Sequence, residues 1–313
     1  MTANSTLPTA VDDIEAPEPD DAPSIDVVEP AEPTGKGKAA RVPVGTIALR
    51  GVTIFLLTVV AFVVFALLLS GLVQARDQIG LQHRFTNELG SNLAPIGGVI
   101  PKGVPVAVIQ IPAIGLDQVV VEGSRSSQLR EGPGHVVGTS LPGQPGNAVI
   151  AGRRALYRGP FHRIGSLHDG DTVTVTTGEG KATYKVTTVA TLSPGDGSFV
   201  QEHGDNRLTL FTSGSPWSAD GRLVVTATLQ GKPYAATQLQ RTLDADGLGL
   251  TGERDAAPNL LVWLELLAGA ALLTAFLTSR WSRSRTWLVC APVLALLMWF
   301  FFESATRLLP ATL

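Results

Sequence analysis

The sequence predicts an all-β, closed β-barrel domain outside a membrane, tethered by three transmembrane α-helices, one N-terminal to it and two C-terminal. Three observations predict it. The apolar residues, 44% of the chain, are concentrated in three long runs instead of being spread evenly. Between the first run and the second lie short stretches rich in Val, Ile and Thr, bounded by Gly, Pro and Asp, which is the pattern of many short strands. Lys and Arg cluster beside the apolar runs in a way that places one side of each in the cytoplasm.

Residues 1–45 are rich in Pro, Asp, Glu and Ala, bury too little to offset ordering entropy, and read as a disordered acidic cytoplasmic tail. Residues 46–75 form the first transmembrane helix, because Val52 to Val73 carries no charge and is long enough for a ~30 Å hydrocarbon core. A cleaved signal peptide ending near Val73-Gln-Ala75 is the rival; the late start behind an acidic tail favours an anchor. Residues 76–103 are a stalk, helical from Arg76 to Leu93 with Ile79, Leu81 and Phe85 available for packing, the helix being ended by Pro95 and Gly97-Gly98. Residues 104–230 hold the barrel, with strands at 106–111, 118–122, 148–151, 172–177, 182–191, 207–212 and 222–229 and a brief helix at 160–167. The alternation is clearest at Thr172-Val-Thr-Val-Thr176, apolar on one face and hydroxylated on the other.

Residues 231–258 are a linker, 259–279 the second transmembrane helix, 280–285 a cytoplasmic loop, 286–306 the third helix and 307–313 an outer tail. Lys36, Lys38, Arg41 and Arg50 precede the first span, and Arg280, Arg283 and Arg285 lie between the last two. The expected location is the plasma membrane, multi-pass, with the N-terminus cytoplasmic and the barrel extracytoplasmic.

Composition narrows the chemistry. The single cysteine, Cys290, falls in the third span, so the outer domain has no disulfide framework and no cysteine metal site. From Arg76 to Asp255 sixteen Lys plus Arg face sixteen Asp plus Glu, which gives nucleic acid no electrostatic footing. No cofactor or metal is expected, and Asp196, Glu202 and Asp205, whose spacing fits no EF-hand, read as a solvated loop.

Two segments carry the functional signal. Residues 208–227 run Leu-Thr-Leu-Phe-Thr-Ser-Gly-Ser-Pro-Trp-Ser-Ala-Asp-Gly-Arg-Leu-Val-Val-Thr-Ala, two strands around a small polar turn, and residues 146–154 run Gly-Asn-Ala-Val-Ile-Ala-Gly-Arg-Arg. The first resembles the active-site segment of a sortase, where a Thr-Leu-x-Thr-Cys strand ends on the nucleophile and an arginine opens the next strand. The second resembles the family's Ala-Gly-His-Arg strand end. Supporting matches are residues 112–117, 132–147 and 159–164, and the resemblance, closest to the actinobacterial class E type, covers about 104–228. It implies a cysteine thiolate that attacks a threonyl carbonyl of a sorting peptide, a histidine that moves protons and an arginine that steadies the oxyanion or substrate. Here the cysteine position is Ser213, the histidine position Arg153, and only the arginine, Arg222, is kept.

A thiolate is a nucleophile as it stands, whereas an alcohol needs a nearby base, and a guanidinium stays protonated. The leading expectation is therefore a catalytically inactive relative acting as a binding or scaffolding subunit of a cell-envelope membrane complex. Alternatives are an atypical serine-dependent transpeptidase or hydrolase built on Ser213 and Arg222, which would need a relocated base among His135, His162, His168 and His203, and an envelope sensor of peptides or anions. Those histidines otherwise read as surface or turn residues. Arg153, Arg154 and Arg222 are candidates for an anionic ligand in the cleft, or else pair with acidic neighbours such as Asp220. A peptide in the degenerate cleft remains a candidate partner.

In the second span Glu265 has no intrahelical mate and is expected to meet a partner membrane protein, with Ala268, Gly269 and Ala275 allowing close helix approach. Glu303 in the third span is expected to pair with Arg307 one turn on. Residues 309–313, Leu-Pro-Ala-Thr-Leu, resemble a sorting pentapeptide lacking its final glycine; standing after a span instead of before one, they read as coincidence.

Overall fold

The computed structural model describes residues 44–216, 218, 220–235, 242–243, 245–248 and 252–313. The chain divides by contacts into Met1–Val52 and Thr53–Leu313. In the first of these, the described residues belong to a helix; the expected acidic tail otherwise lies outside the described residues.

Helix α1 (Val44–Val64), a π-helical turn (Phe65–Leu69) and helix α2 (Ser70–Gly90) follow one another without a break, so the expected stalk is a direct extension of the first span. A π turn places one extra residue in the helix and recurs at sites of special contact. Here Phe65 sets its ring 4.9 Å from Trp299 and 5.7 Å from Phe302. Helices α4 (Ala257–Arg280) and α5 (Arg283–Leu308) make the hairpin, with Trp263 stacked on Phe300 at 4.7 Å. Among the described residues three helices are long and apolar enough to span, and the protein is a multi-pass membrane protein with its barrel outside.

The barrel has eight strands: β1 (Pro105–Ile111), β2 (Leu116–Glu122), β3 (Gly134–His135), β4 (Asn147–Ala151), β5 (Thr172–Thr177), β6 (Gly180–Leu192), β7 (Arg207–Ser213) and β8 (Arg222–Gln230). Their order around the closed barrel is β1-β2-β3-β4-β7-β8-β6-β5, with β5 pairing back to β1. Seven of these follow the expected runs. The two-residue β3 is too short to show periodicity, and the six-residue helix α3 (Ser126–Glu131) was not expected either. The helix expected at 160–167 shrinks to a 3-10 turn at Ile164–Ser166, in a segment that Gly159, Pro160 and Gly165 make a poor helix.

Because side chains alternate across a strand, β4 and β7 serve two cores. Ile150, Leu208 and Leu210 point into the barrel with Ile109, Val175 and Val225. Val149, Ala151 and Phe211 point outward and are covered by Leu129, Phe199 and Val224. Both strands are accordingly buried along nearly their whole length, which is the condition of a parallel pair.

The outer domain does not hang from its helices on a free linker; it is clasped by them. The Gln78 side-chain amide of α2 donates to Val119 O and Glu131 O, and its carbonyl accepts from Val119 N. Glu253, just before α4, accepts from Ser127 N and Oγ at the start of α3. Tyr157 donates its N–H to Ser70 Oγ, and its hydroxyl bonds Thr306 Oγ1 of α5. Tyr157 and the following Arg158 adopt left-handed backbone, φ 53° and 59°, a conformation worth avoiding by about 1–2 kcal/mol each without such contacts.

Glu303 corrects an expectation in part. It does take Arg307, at 3.4 Å, but the same carboxylate oxygen also accepts from Arg130 of α3. Its role is thus to join α5 to the barrel. Arg130→Gln and Glu303→Gln should each lower the unfolding temperature of the detergent-solubilised chain. In a double-mutant cycle their coupling should be on the order of 1 kcal/mol; additive effects would place Glu303 with Arg307 alone.

Candidate functional site

Strand β4 ends at Ala151 beside Phe211, and Gly152 N–H extends the ladder by donating to Phe211 O at 3.0 Å. Gly152 is required there, since a Cβ would sit 2.4 Å from the Phe161 ring. The ladder therefore delivers Arg153 and Arg154 beside the end of β7, while β8 sets Arg222 directly across from Ser213. The sequence-predicted positions come together at one end of the sheet.

Their side chains are engaged as structural groups. Ser213 is fully buried, and its Oγ donates to Ser215 O at 2.8 Å. Arg153, 1% exposed, donates through Nη2 to Ser126 O and Oγ and lies 4.8 Å over the Tyr157 ring, while its Nε and Nη1 have no hydrogen-bond partner among the described residues. Burial lowers its pKa to about 10, against the opposing pull of Tyr157 and Glu253, so it stays protonated at neutral pH. Arg154 donates through Nη1 to Ser213 O at 3.1 Å. Arg222 donates to Asp196 O and Leu248 O and lies 5.0 Å over Phe199. Backbone carbonyls thus take the place of the expected acidic partner Asp220. Burial also lowers the pKa of Arg154 and of Arg222, the latter opposed by Asp196.

The histidines are placed elsewhere. His162, His168 and His203 are exposed, and His162 Nδ1 bonds Gly159 O at 2.7 Å. His135, expected at a surface or turn, is instead 2% exposed, with Nδ1 2.8 Å from Glu122 Oε2 and Nε2 2.9 Å from Ser140 O. Two acceptors face the two ring nitrogens, which suits the doubly protonated ring. Burial opposes that charge, but the Glu122 carboxylate, its hydrogen bond and the Ser140 carbonyl outweigh burial and raise the pKa. In the acidic loop, Asp196 accepts from Ser198 N and Asp205 pairs with Arg207.

The cleft is occupied, and this is what sequence reasoning missed. Residues 309–313 leave α5 and turn into it, closed by Leu313 N–H to Pro310 O at 3.1 Å. Ala311 is 1% exposed and packs in the cluster of Val149, Ala151 and Phe211. Thr312 O accepts from Arg154 N–H at 3.0 Å and from Thr212 Oγ1 at 3.3 Å, and Leu313 O accepts from Leu156 N–H at 3.4 Å. Leu309 packs on Leu156, Tyr157 and Ala66. The one available signal was the pentapeptide pattern itself, set aside as coincidence. On α4, Glu265, Ala268, Gly269 and Ala275 are all exposed, and Glu265 has no hydrogen-bond or ionic partner among the described residues.

A closed barrel standing on membrane helices, with a strand end against which residues 309–313 pack, defines a membrane-tethered barrel fold with serine at the end of β7. Residues 109–230 match the sortase domain family. Sortase A of Bacillus anthracis is 32% identical over 124 residues, which is 39% of this chain and 59% of that protein. The chain therefore spans about three fifths of that curated relative. Among solved structures, a Clostridium perfringens sortase D5 transpeptidase is 27% identical, covering 51% of this chain and 99% of that one, with a TM-score of 0.44. Sortase E from Streptomyces avermitilis is 32% identical, covering 43% and 93%, with a TM-score of 0.39. Over residues 109–230 this membrane protein matches the sortase domain family, and its curated matches, to a sortase A and a sortase D, do not single out class E.

Two outcomes follow from this geometry. A raised histidine pKa gives a stabilisation that is full below about pH 6.5 and is lost as pH rises through the folded value. The stability advantage of the wild type over His135→Asn, read by thermal unfolding, should shrink as pH rises above about 6.5; an advantage that grew with pH would contradict the pairing. The thiol introduced by Ser213→Cys should resist alkylation in the folded chain, because position 213 is fully buried. Rapid labelling under native conditions would contradict a closed cleft.

Proposed function

We propose that this protein is a non-catalytic sortase relative, of the class E type by its sequence strings, that serves as a binding or scaffolding subunit of a cell-envelope membrane complex. The observation that carries the reading is the state of position 153. A buried, protonated guanidinium spent on Ser126 can neither accept a proton from Ser213 nor donate one to a leaving amine at neutral pH. The Ser213 hydroxyl, committed to Ser215 O, has no base among its hydrogen-bond partners in the described residues. Glu265 supports the assembly role: a carboxylate within a span costs about 2.5–3.5 kcal/mol at mid-membrane, and less near an interface, unless it finds a donor.

Incubation of the full chain with Leu-Pro-Ala-Thr-Gly peptide should give neither cleavage nor a mass adduct at Ser213. An adduct that disappears in Ser213→Ala would overturn the reading. Restoring the family residues, Ser213→Cys with Arg153→His, should yield at most weak thiol-dependent turnover, because Arg153→His also removes the hydrogen bonds to Ser126. In membranes, Glu265→Leu should insert normally yet lower recovery of co-purifying membrane protein; unchanged recovery would remove α4 as the docking element.

A further inference from the structure

We infer that residues 309–313 are an intrachain ligand of the sortase-type cleft, and that the cleft keeps a peptide-binding capacity which is exposed only when the end of α5 withdraws this segment. The inference rests on the reading of the cleft as non-catalytic but intact.

The seat is built from general peptide-binding features. Three of its hydrogen bonds reach main-chain carbonyls of the segment: Arg154 N–H and Thr212 Oγ1 to Thr312 O, and Leu156 N–H to Leu313 O. Bonds to main chain do not depend on which chain supplies the carbonyl. Side-chain selection comes from the place of Ala311 among Val149, Ala151 and Phe211, where only a small apolar group is accommodated without repacking. The carbonyl gripped by two donors is that of Thr312, next to the strand end that carries Ser213. A threonyl carbonyl is the group that the family resemblance brings to this spot. The segment's pattern and its location therefore agree, although each was recognised from different observations.

The segment is also placed to be moved. It continues directly from α5, whose last turns touch the barrel through Glu303 to Arg130 and Thr306 to Tyr157. Loop 153–159 is touched by both: Leu156 and Arg154 hold the segment while Tyr157 holds α5 and Ser70. A shift of α5 relative to the barrel must pull on residues 309–313, so a helix–helix event in the membrane would open the cleft. A tethered occupant competes at high effective concentration with any free peptide, which keeps the cleft closed by default.

The test compares the full chain in detergent with two released forms, Ala311→Asp, which puts a charge into the apolar seat, and a variant stopped after Leu308. The probe is a fluorescent peptide carrying Leu-Pro-Ala-Thr-Leu, with an order-scrambled control. Both released forms should keep a cooperative unfolding transition and bind the probe at least about tenfold more tightly than the wild type, and far better than they bind the control. In the wild type, the amides of Arg154 and Leu156 should be protected from hydrogen exchange, and that protection should fall in both variants. Folded variants that bind probe and control alike, or no better than the wild type, would overturn the inference; so would wild-type amides that exchange as freely as in the shortened form. Should one variant fail to fold, the other decides. Mass analysis of the same samples separates the two ideas. A covalent adduct at Ser213 would sink the non-catalytic reading and leave the ligand assignment standing, whereas loss of sequence-selective binding would do the reverse.

Discussion

The parallel pairing of β4 with β7 is the constraint on which the rest of the site depends. A strand pair in parallel register carries apolar residues on both faces, and the outer face must be covered by something other than the barrel. Val149, Ala151 and Phe211 present that face, and three different pieces of chain close over it: α3 through Leu129, the 198–200 turn through Phe199, and the segment after α5 through Ala311. In an ordinary cleft part of this surface would stay open for a substrate. Here the demand for burial is met within the chain, at about 25 cal/mol for each Å² of apolar surface removed from water.

Covering the face from the membrane side changes what the helices are. A tether needs only length and hydropathy, and α1, α4 and α5 have both. Yet α2, α5 and the approach to α4 also contribute Gln78, Thr306 and Glu253 to contacts with the barrel. Two adjacent non-glycine residues in left-handed backbone, Tyr157 and Arg158, are sustained at the point where these contacts meet. Removing Gly71 would disturb the same place, since a Cβ there would lie 2.6 Å from Arg158 Cγ. The barrel and its membrane helices thus form one packed structure at the outer surface.

Much of this architecture was legible in the sequence. Seven strands, the helical stalk and the three spans follow from periodicity of two, from apolar length and from Gly and Pro punctuation, all of which are local signals. Ser213, Arg153 and Arg222 were singled out by the resemblance to sortase strand ends, and the structure brings them to one end of the sheet. What stayed hidden was set by distant partners. Arg130 and Glu303 are 173 residues apart, and the bond from Arg154 to Thr312 has no local trace. Likewise His135 looked like a turn histidine, because Glu122, which helps the Ser140 carbonyl hold it inside, is brought to it only by the β2–β3 pairing.

Arg153 shows how the strand end takes part in the attachment of the barrel. A histidine at a strand end can stand beside a nucleophile with few demands on its surroundings, whereas a buried guanidinium must find acceptors or bear a heavy desolvation cost. Ser126 O and Oγ supply two of them and the Tyr157 face a third contact, with the Glu253 charge nearby. Ser126 opens α3, whose next residue is held by Glu253 and whose Arg130 reaches Glu303 of α5. Arg153 is therefore a strut between β4 and the short helix that fastens the barrel to the membrane hairpin. Replacing it by histidine would remove the guanidinium contacts to Ser126, so this strand end belongs to the attachment between barrel and membrane.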